Sequence, residues 1–463
     1  MTFADRYAKI FKTLLPSPFT IAVLLTGFTM LLALLFTRPS GAGIGDYSLN
    51  ILEFWENGIW NNSLMVFALQ MMLILVLGHA LALTKPVSWL IDQATRFCNT
   101  TANAAAIVTF LTLIVALFNW GLGLIFGAIF ARKVAESAQA KGLSLNYPII
   151  GAAGYSGLMI WHGGLSGSAP IKVSESGHLA DIMKNIFNPE QLASLPDRID
   201  ASQTIFSTMN LTIAAILLLL LPLAMYWIGK RSQATPLKLN NLLEIETEED
   251  PPKGAERLDA SRLFAYIFGG IILIVAVYQA FIKPEHITLK FLTPNFINFC
   301  LLGLGILLHG SFRHYLKAID SAMGGAAGIL IQFPLYFGIM GIMTSSGLVG
   351  IFSDFFVSIS TQRTFPIFNF ISAGIVNIFV PSGGGQWSVQ GPIIIEASQQ
   401  LGVSLPKSVM AMAYGDQLTN MLQPFWALPL LGITGLKAKD ILPYTLLLML
   451  IGGVVFVLGL WFF

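Results

Sequence analysis

A proline and three consecutive glycines interrupt an apolar part of the chain, in the sequence VPSGGGQWSVQGP at residues 380–392. The apolar runs on either side, 366–379 and 388–397, are helical in character but at most about 15 residues long, or about 20 Å. Neither run can cross a hydrocarbon core, which is about 30 Å thick. Because glycine and proline do not sustain a helix interior, the stretch predicts a re-entrant hairpin. Its polar tip would lie at mid-membrane, where irregular backbone is tolerated only inside protein or facing water.

The composition is that of a membrane protein. Of the 463 residues, 55% are hydrophobic and 11% are charged, and the mean hydropathy is +0.72. These values are typical of an all-α polytopic membrane protein. The two cysteines, Cys98 and Cys300, are far apart, and the six histidines show no metal-ligand spacing. We therefore expect no metal centre, no cofactor other than a bound Na⁺, and no nucleic-acid partner.

The other apolar segments predict the topology. About nine of them span the bilayer, two in broken form, in addition to two hairpins. Residues 38–61 are predicted to be an external loop, 85–96 an interfacial helix, and 313–320 a cytoplasmic segment before the next span. Lys and Arg are concentrated on one side of this arrangement, which predicts a cytoplasmic N-terminus.

The chain divides into two halves with the same order of elements. The first half is predicted to comprise residues 1–229, with a hairpin at 104–134 and a broken span at 147–171. A cytoplasmic linker is predicted at 230–262. The second half is predicted to comprise residues 263–463, with a hairpin at 366–400 and a broken span at 408–435. The first copy enters the membrane from outside and the second from inside, so the repeats are predicted to be inverted. Inverted repeats with discontinuous helices are typical of secondary transporters that bind substrate near the midplane.

The two tips and the two broken spans are expected to converge on one site. Half-helix N-termini there offer N–H groups to an anion, while unwound carbonyls suit a cation. The candidate residues are Asn119, His162, Gly163, Ser166, Ser168, Asn377, Ser382, Gln386, Ser388, Gln390, Asp416, Thr419, Asn420 and Gln423. Each break also carries a tryptophan that either contacts the substrate or simply packs beside glycine, namely Trp120, Trp161, Trp387 and Trp426.

Asp416 is the one acidic residue near a predicted mid-membrane break. Carboxylates inside a membrane are costly and usually functional, so Asp416 is expected to bind Na⁺ or carry a proton, with a structural hydrogen bond as the alternative. His162 is either a second proton carrier or a satisfied buried histidine. No Lys or Arg falls within 142–171 or 364–406, whereas a dicarboxylate usually calls for an arginine. The site chemistry therefore favours a small, partly apolar monoanion.

Three motifs resemble a known family. VPSGGGQWSVQGP, with FNWGLGLIFGAIFARK at 118–133 and YGDQLTNMLQPFWALPLLG at 414–432, is similar to the bacterial short-chain fatty acid transporters of the ion-transporter superfamily. The resemblance runs along the whole chain. It implies uptake of short-chain monocarboxylates such as acetoacetate and butyrate across the bacterial cytoplasmic (inner) membrane. It also implies an inverted-repeat fold with two re-entrant hairpins.

The resemblance further implies roles for particular residues, because relatives bind substrate and coupling ion at hairpin tips and broken helices. The residues that it implicates are Asn119, Gly121, Ser382, Gly383, Gly384, Gly385, Gln386, Asp416, Thr419 and Asn420, with Asp416, Asn119 and Asn420 as candidates for the coupling ion. The first tip lacks the Ser-Asn-Thr motif of sodium-coupled dicarboxylate relatives, which leaves H⁺ and Na⁺ both open.

The predicted function is secondary active import of short-chain monocarboxylates in symport with H⁺ or Na⁺. Transport of dicarboxylates or other small organic anions is the alternative. No enzymatic activity is expected, because Asp416 and His162 alone do not make a nucleophile–base or metal constellation. A homodimer in the lipid bilayer is left open.

Overall fold

The computed structural model describes residues 16–184, 187–236, 253–284, 291 and 293–463. Over this range the regular secondary structure is helical apart from one antiparallel pair of two-residue strands, β1 (Ser144–Leu145) and β2 (Thr235–Pro236). The basic residues before position 16 and residues 237–252 of the predicted linker lie outside the described residues. The predicted all-α polytopic class is confirmed.

The helices run in chain order through both halves. In the first half they are α1 (Pro18–Phe36), α2 (Ile44–Ile59), α3 (Asn62–Ala82), α4 (Lys85–Thr95), α5 (Thr101–Phe118), α6 (Trp120–Ala140), α7 (Tyr147–Tyr155), α8 (Ser168–Lys172), α9 (His178–Met183), α10 (Pro189–Ser194) and α11 (Thr208–Lys230). The others are α12 (Glu256–Asp259), α13 (Arg262–Val277), α14 (Pro294–His309), α15 (Phe312–Ser345), α16 (Leu348–Ser358), α17 (Phe365–Phe379), α18 (Gly383–Leu401), α19 (Leu405–Thr419), α20 (Pro424–Thr434) and α21 (Ala438–Phe462).

Seven helical segments in the described part of the chain are long and apolar enough to cross a membrane. Six of them coincide with predicted spans, and the seventh, Thr101–Phe118, is the first arm of the first predicted hairpin. The remaining predicted spans are the two broken segments and α14, which has 16 residues. The chain is therefore a multi-pass membrane protein.

The first hairpin consists of α5 and α6, which meet at Asn119. Asn119 has an extended backbone, with φ −152° and ψ 127°, so it breaks the helix. The arms run side by side, because a Cβ built at Gly123 would lie 2.6 Å from the Cα of Ala116. The arms have 18 and 21 residues, and the first, Thr101–Phe118, is long and apolar enough to span, whereas the second is not among the described helices that meet that criterion. The second arm continues past its charged residues because Arg132 pairs with Glu136 one turn later, at 2.9 Å.

The second hairpin consists of α17 and α18, and here the glycines are helical. The prediction that they could not belong to a helix was wrong, because α18 begins at Gly383. Ser382 caps this helix, since its Oγ accepts a hydrogen bond of 3.2 Å from the backbone N–H of Gly385. A capped first turn tolerates glycine, since only a helix interior pays its full entropic cost.

Two further predictions are corrected. The predicted external loop contains α2, which packs so closely on α15 that a Cβ at Gly58 would lie 2.5 Å from the carbonyl oxygen of Phe337. The predicted cytoplasmic segment at 313–320 and the following span are one continuous helix of 34 residues, α15, about 51 Å long. The structure thus corrects the secondary structure of both segments, and their external and cytoplasmic locations stay predictions.

The two halves share an order of elements. A long helix, a short helix, a hairpin and a broken helix follow one another as α3 to α8 and again as α15 to α20. The opposite orientation of these two series in the membrane, the re-entrant depth of the tips and the predicted boundaries of the halves stay predictions.

Candidate functional site

The two broken helices lie against each other at their breaks. After α7, the first unwinds into tight turns at Ser156–Met159 and Trp161–Gly163, and the second unwinds at Asn420–Leu422 between α19 and α20. The hydroxyl of Tyr155 donates hydrogen bonds to the carbonyls of Asn420 and Gln423, at 2.8 and 3.1 Å. These bonds satisfy carbonyls that unwinding leaves without helical partners.

A histidine and an aspartate face each other across this junction. The Nδ1 atom of His162 lies 3.5 Å from Oδ1 of Asp416, and the two side chains are 0% and 1% exposed. The backbone N–H of Ala169 donates to Nε2 of His162 at 3.2 Å, so the imidazole carries its hydrogen on Nδ1, toward the carboxylate. Oδ2 of Asp416 has no hydrogen-bond partner among the described residues. The sequence identified both residues, but not that they form a pair.

The tip of the second hairpin rests on this pair. A Cβ built at Gly383 would lie 2.9 Å from Cε1 of His162 and 3.1 Å from Oγ of Ser168. A Cβ at Gly384 would have no atom within 4 Å. In the described part of the chain, neither glycine's backbone N–H donates to a protein acceptor. The N-terminus of α18 therefore presents free N–H groups beside the His162–Asp416 pair.

Asn377, in the last turn of α17, ties the second hairpin to the second break. Its Nδ2 lies 2.7 Å from the carbonyl oxygen of Asp416, 3.0 Å from Oγ1 of Thr419 and 2.8 Å from Oδ1 of Asn420. The side-chain amide of Gln423 donates to the carbonyl of Asn377. Among the described residues, Oδ1 of Asn377, Nδ2 of Asn420 and Oε1 of Gln423 are buried without a partner. These atoms are available to a bound ligand or water.

The first hairpin tip is fastened to the first broken helix. Oγ of Ser166 accepts from the backbone N–H of Trp120 at 2.9 Å. Oδ1 of Asn119 caps α6 by accepting from the N–H of Leu122 at 3.0 Å, and Gly121 lies beside that cap. The cap engages the side-chain oxygen through which Asn119 was predicted to bind a coupling ion.

Three of the four break tryptophans form one aromatic cluster. The ring of Trp120 lies 6.0 Å from that of Trp161 and 5.1 Å from that of Trp426. Phe67 of α3 lies 6.2 Å from Trp120, and Phe333 of α15 extends the cluster. The sequence analysis missed both phenylalanines, because nothing in the spacing of α3 or α15 distinguishes them from ordinary core residues.

Other predicted residues are engaged elsewhere. Gln386 donates from Nε2 to the carbonyl of Ala373 and to Gln390, within the second hairpin. Ser388 is exposed and donates to the carbonyl of Gly384. The carbonyl of Gly163 accepts from Nδ2 of Asn210, a residue of α11 that the sequence analysis missed and that also accepts from Tyr414.

Trp387, the fourth tryptophan, lies away from the aromatic cluster. Its indole N–H donates to Nε2 of His178 in α9, at 3.0 Å. Partial burial lowers the pKa of His178 below its ordinary value of 6.5, with a further contribution from nearby Lys172. The lowered pKa means that this contact stabilises the fold above about pH 6.5 and that the contribution is lost as the pH falls, since protonated Nε2 no longer accepts.

We therefore expect the segment 173–200 to loosen on acidification. Limited proteolysis of purified protein should cut this segment faster at pH 5.5 than at pH 7.5. The matched control is His178→Gln, which keeps an acceptor but does not titrate and should remove the pH dependence. Equal cleavage of the wild-type protein at both pH values would contradict the prediction.

A family model described as short chain fatty acid transporter matches residues 2–463. The chain belongs to the short-chain fatty acid transporter family. An Escherichia coli (strain K12) member, named a short-chain fatty acid transporter by inference, is 38% identical over 456 residues and covers 97% of this chain and 96% of its own. A Haemophilus influenzae member with the same name is 36% identical over 469 residues, covering 100% and 98%.

Two solved structures show a weaker likeness to this family member. The Alcanivorax borkumensis YdaH transporter has a TM-score of 0.44 at 14% identity, covering 96% of this chain and 98% of its own. The Neisseria gonorrhoeae pump MtrF has a TM-score of 0.41 at 12% identity, covering 97% and 96%. Neither likeness is close enough to assign a topology to this chain.

Proposed function

We propose that this family member is a secondary active transporter, and not an enzyme, that imports short-chain monocarboxylates such as acetoacetate and butyrate across a bacterial cytoplasmic membrane in symport with H⁺ or Na⁺. One observation carries the proposal. The free N–H groups at the start of α18 lie beside the buried His162–Asp416 pair, where two broken helices and a hairpin tip meet. An anion site beside a group that can bind a cation is what coupled transport of a carboxylate requires.

The N-terminus of α18 suits the substrate's carboxylate. The N–H groups of Gly383 and Gly384 and the positive end of the helix attract an anion without a charged side chain. Because Gly384 has no Cβ, the anion can approach its backbone closely. The space beside this residue is open, since a Cβ built there would have no protein atom within 4 Å.

The aromatic cluster suits the substrate's short apolar tail. Trp161 belongs to this cluster and also stacks on His162, with ring centroids 4.3 Å apart, so the cluster begins at the anion site. Apolar walls with a few placed polar groups are the usual design of small-molecule sites. The indole N–H groups of Trp161 and Trp426 are buried without acceptors among the described residues, and they could meet the keto oxygen of acetoacetate.

The alternative, transport of dicarboxylates, is less well supported. A second carboxylate would call for a cationic partner. In the parts of the chain that the structure describes, the residues that form the junction include no Lys or Arg. Acetoacetate is therefore expected to compete with butyrate, and succinate is not.

The test is uptake of labelled butyrate into proteoliposomes, with pH and Na⁺ gradients imposed separately and protein-free vesicles correcting for passive entry of undissociated acid. A pH gradient of one unit stores about 1.4 kcal/mol per proton, enough for about tenfold accumulation in one-to-one symport. We expect accumulation above the protein-free control with one of the two gradients. No gradient-dependent uptake would contradict the proposal, and equal competition by succinate would favour the alternative.

A further inference from the structure

We infer that the coupling ion is a proton, that Asp416 carries it on Oδ2, and that His162 is a fixed neighbour whose Nδ1 faces this carboxylate; the inference rests on the proposed transport function. The sequence makes Asp416 a candidate for the coupling ion and leaves His162 as either a second proton carrier or a satisfied buried histidine. The geometry around the imidazole distinguishes them.

The backbone at Ala169 excludes a proton from Nε2 of His162. Its N–H points at Nε2 from 3.2 Å, and a backbone N–H cannot turn to become an acceptor. In an imidazolium, the N–H at Nε2 would point at the N–H of Ala169, and the two donors would repel each other. The loop from Gly163 to Ser168 packs directly on His162, because a Cβ at Gly167 would lie 2.1 Å from the carbonyl oxygen of His162. Nε2 of His162 therefore acts as an acceptor, which leaves the ring hydrogen on Nδ1.

The position of His162 is held from its other sides as well. Its backbone N–H donates to Oε1 of Gln417 at 2.9 Å, and its ring stacks on Trp161 at an interplanar angle of 14°. Nδ1 consequently stays 3.5 Å from Oδ1 of Asp416, and it has no hydrogen-bond partner among the described residues. Na⁺ at this carboxylate would lie next to a fixed N–H donor, which repels a cation.

Asp416 has the free atom that a proton needs. Oδ2 is buried and has no partner among the described residues, whereas Oδ1 faces His162. An ionised carboxylate in this position is costly, and protonation removes the charge. A proton from water on the outer side would form the Oδ2–H bond, and the same bond would break when the proton leaves to water on the inner side. No other bond changes.

The neighbouring titratable groups do not compete for this role. Tyr155 and Tyr414 donate to Asn420, Gln423 and Asn210, as described above. α17 contains no titratable residue. The other charged groups on the described helices around the pair lie near helix ends, and they are Lys172 on α8, Lys230 on α11, Glu396 on α18, Lys407 on α19, and Lys439 and Asp440 on α21.

Protonation of Asp416 would couple to substrate binding through charge. Gly383, at the start of α18, is in contact range of His162, so the substrate's carboxylate would lie one imidazole away from Asp416. Two carboxylates this close repel when both are ionised. The substrate is thus expected to bind when Asp416 is protonated, and one proton with one monocarboxylate makes the cycle electroneutral.

The experiment compares butyrate accumulation and butyrate exchange in proteoliposomes. Asp416→Asn should lose proton-driven accumulation at least tenfold, yet exchange labelled for unlabelled butyrate at equal pH, because Asn mimics the protonated acid. Combined with His178→Gln, which removes the other group expected to change in this range, its exchange should not vary between pH 5.5 and 8. His162→Asn, which loses the ring that contacts Gly383, should exchange butyrate more slowly but keep the pH dependence of that exchange.

Three outcomes would overturn the inference. Normal accumulation by Asp416→Asn, or a pH-dependent exchange lost in His162→Asn but kept in Asp416→Asn, would exclude Asp416 as the carrier. Wild-type accumulation driven by Na⁺ alone would exclude the proton while leaving the proposed function intact. Absence of wild-type butyrate exchange would overturn the proposed function itself.

A wild-type measurement keeps the inference testable if Asp416→Asn does not fold. Butyrate added outside should carry protons into vesicles loaded with a pH-sensitive dye, at one proton per butyrate above the protein-free control. Clamping the membrane potential with valinomycin and K⁺ should leave the initial uptake rate unchanged. A potential-dependent rate would contradict electroneutral coupling.

Discussion

Replacing Gly383 with alanine is expected to reduce butyrate exchange at least tenfold. The added Cβ would lie 2.9 Å from Cε1 of His162 and 3.1 Å from both Oγ of Ser168 and the ring of Trp161. Contacts shorter than about 3 Å force a displacement, and His162 cannot yield because Ala169, Gln417 and Trp161 hold it. The tip of α18 must therefore move away from the site.

The matched control for this variant is Gly324→Ala, at an exposed position of α15 that belongs to no part of the proposed site. A Cβ there meets no atom within 4 Å, so the fold should accommodate it, and a single methyl group should change exchange by less than about threefold. The measurement is labelled butyrate exchange by both variants at matched reconstitution. Equal activity of the two would show that the tip does not need close contact with His162.

Replacing Gly127 with alanine is expected to prevent the protein from folding stably. Gly127 of α6 and Gly154 of α7 bring two helix backbones into contact: a Cβ at Gly127 would lie 2.0 Å from the carbonyl oxygen of Gly154, and a Cβ at Gly154 would lie 2.4 Å from that of Gly127. Small residues allow such approaches in membrane proteins. Because the obstructing atoms are backbone, the helices must separate, at a cost of about 3 kcal/mol or more.

Gly270→Ala in α13 is the control, since a Cβ there has no atom within 4 Å and alanine is the better helix former by about 1 kcal/mol. Monodisperse yield and thermal unfolding in detergent would be compared for both variants. We expect no monodisperse Gly127→Ala protein to be recovered. The thermal unfolding midpoint of Gly270→Ala should equal that of the wild-type protein or lie slightly above it. A wild-type midpoint for Gly127→Ala would contradict the close crossing of α6 and α7.

Local signals in the sequence predict where the helices break. Pro381 and Asn119 end their helices through their own backbone preferences, and an apolar run reveals its length without any partner. Helix ends were less well predicted. The first hairpin was predicted to end at residue 134, but its second helix continues to Ala140, and Arg132 and Glu136 form an ion pair along it.

The facing of side chains could not be predicted from the sequence. Trp387 follows the glycines of the motif and was expected at the site, yet its rotation on α18 directs it to His178. Gln386, its neighbour, turns back into the hairpin. Helical periodicity sets the directions of these residues relative to one another, but the packing of α18 on other helices decides which of them faces the site.

The sequence by itself thus determined the membrane class, the positions of the four breaks and the set of polar residues near them, because these depend on local hydrophobicity and backbone conformation. Only the tertiary structure decided that His162 faces Asp416 and that the N–H of Ala169 selects the tautomer of His162. It also decided that Gly383 is the glycine of the tip at which a Cβ would clash with neighbouring side chains. The partners in these contacts come from different helices. Their distances depend on how whole helices pack, and no local pattern in the chain records that packing.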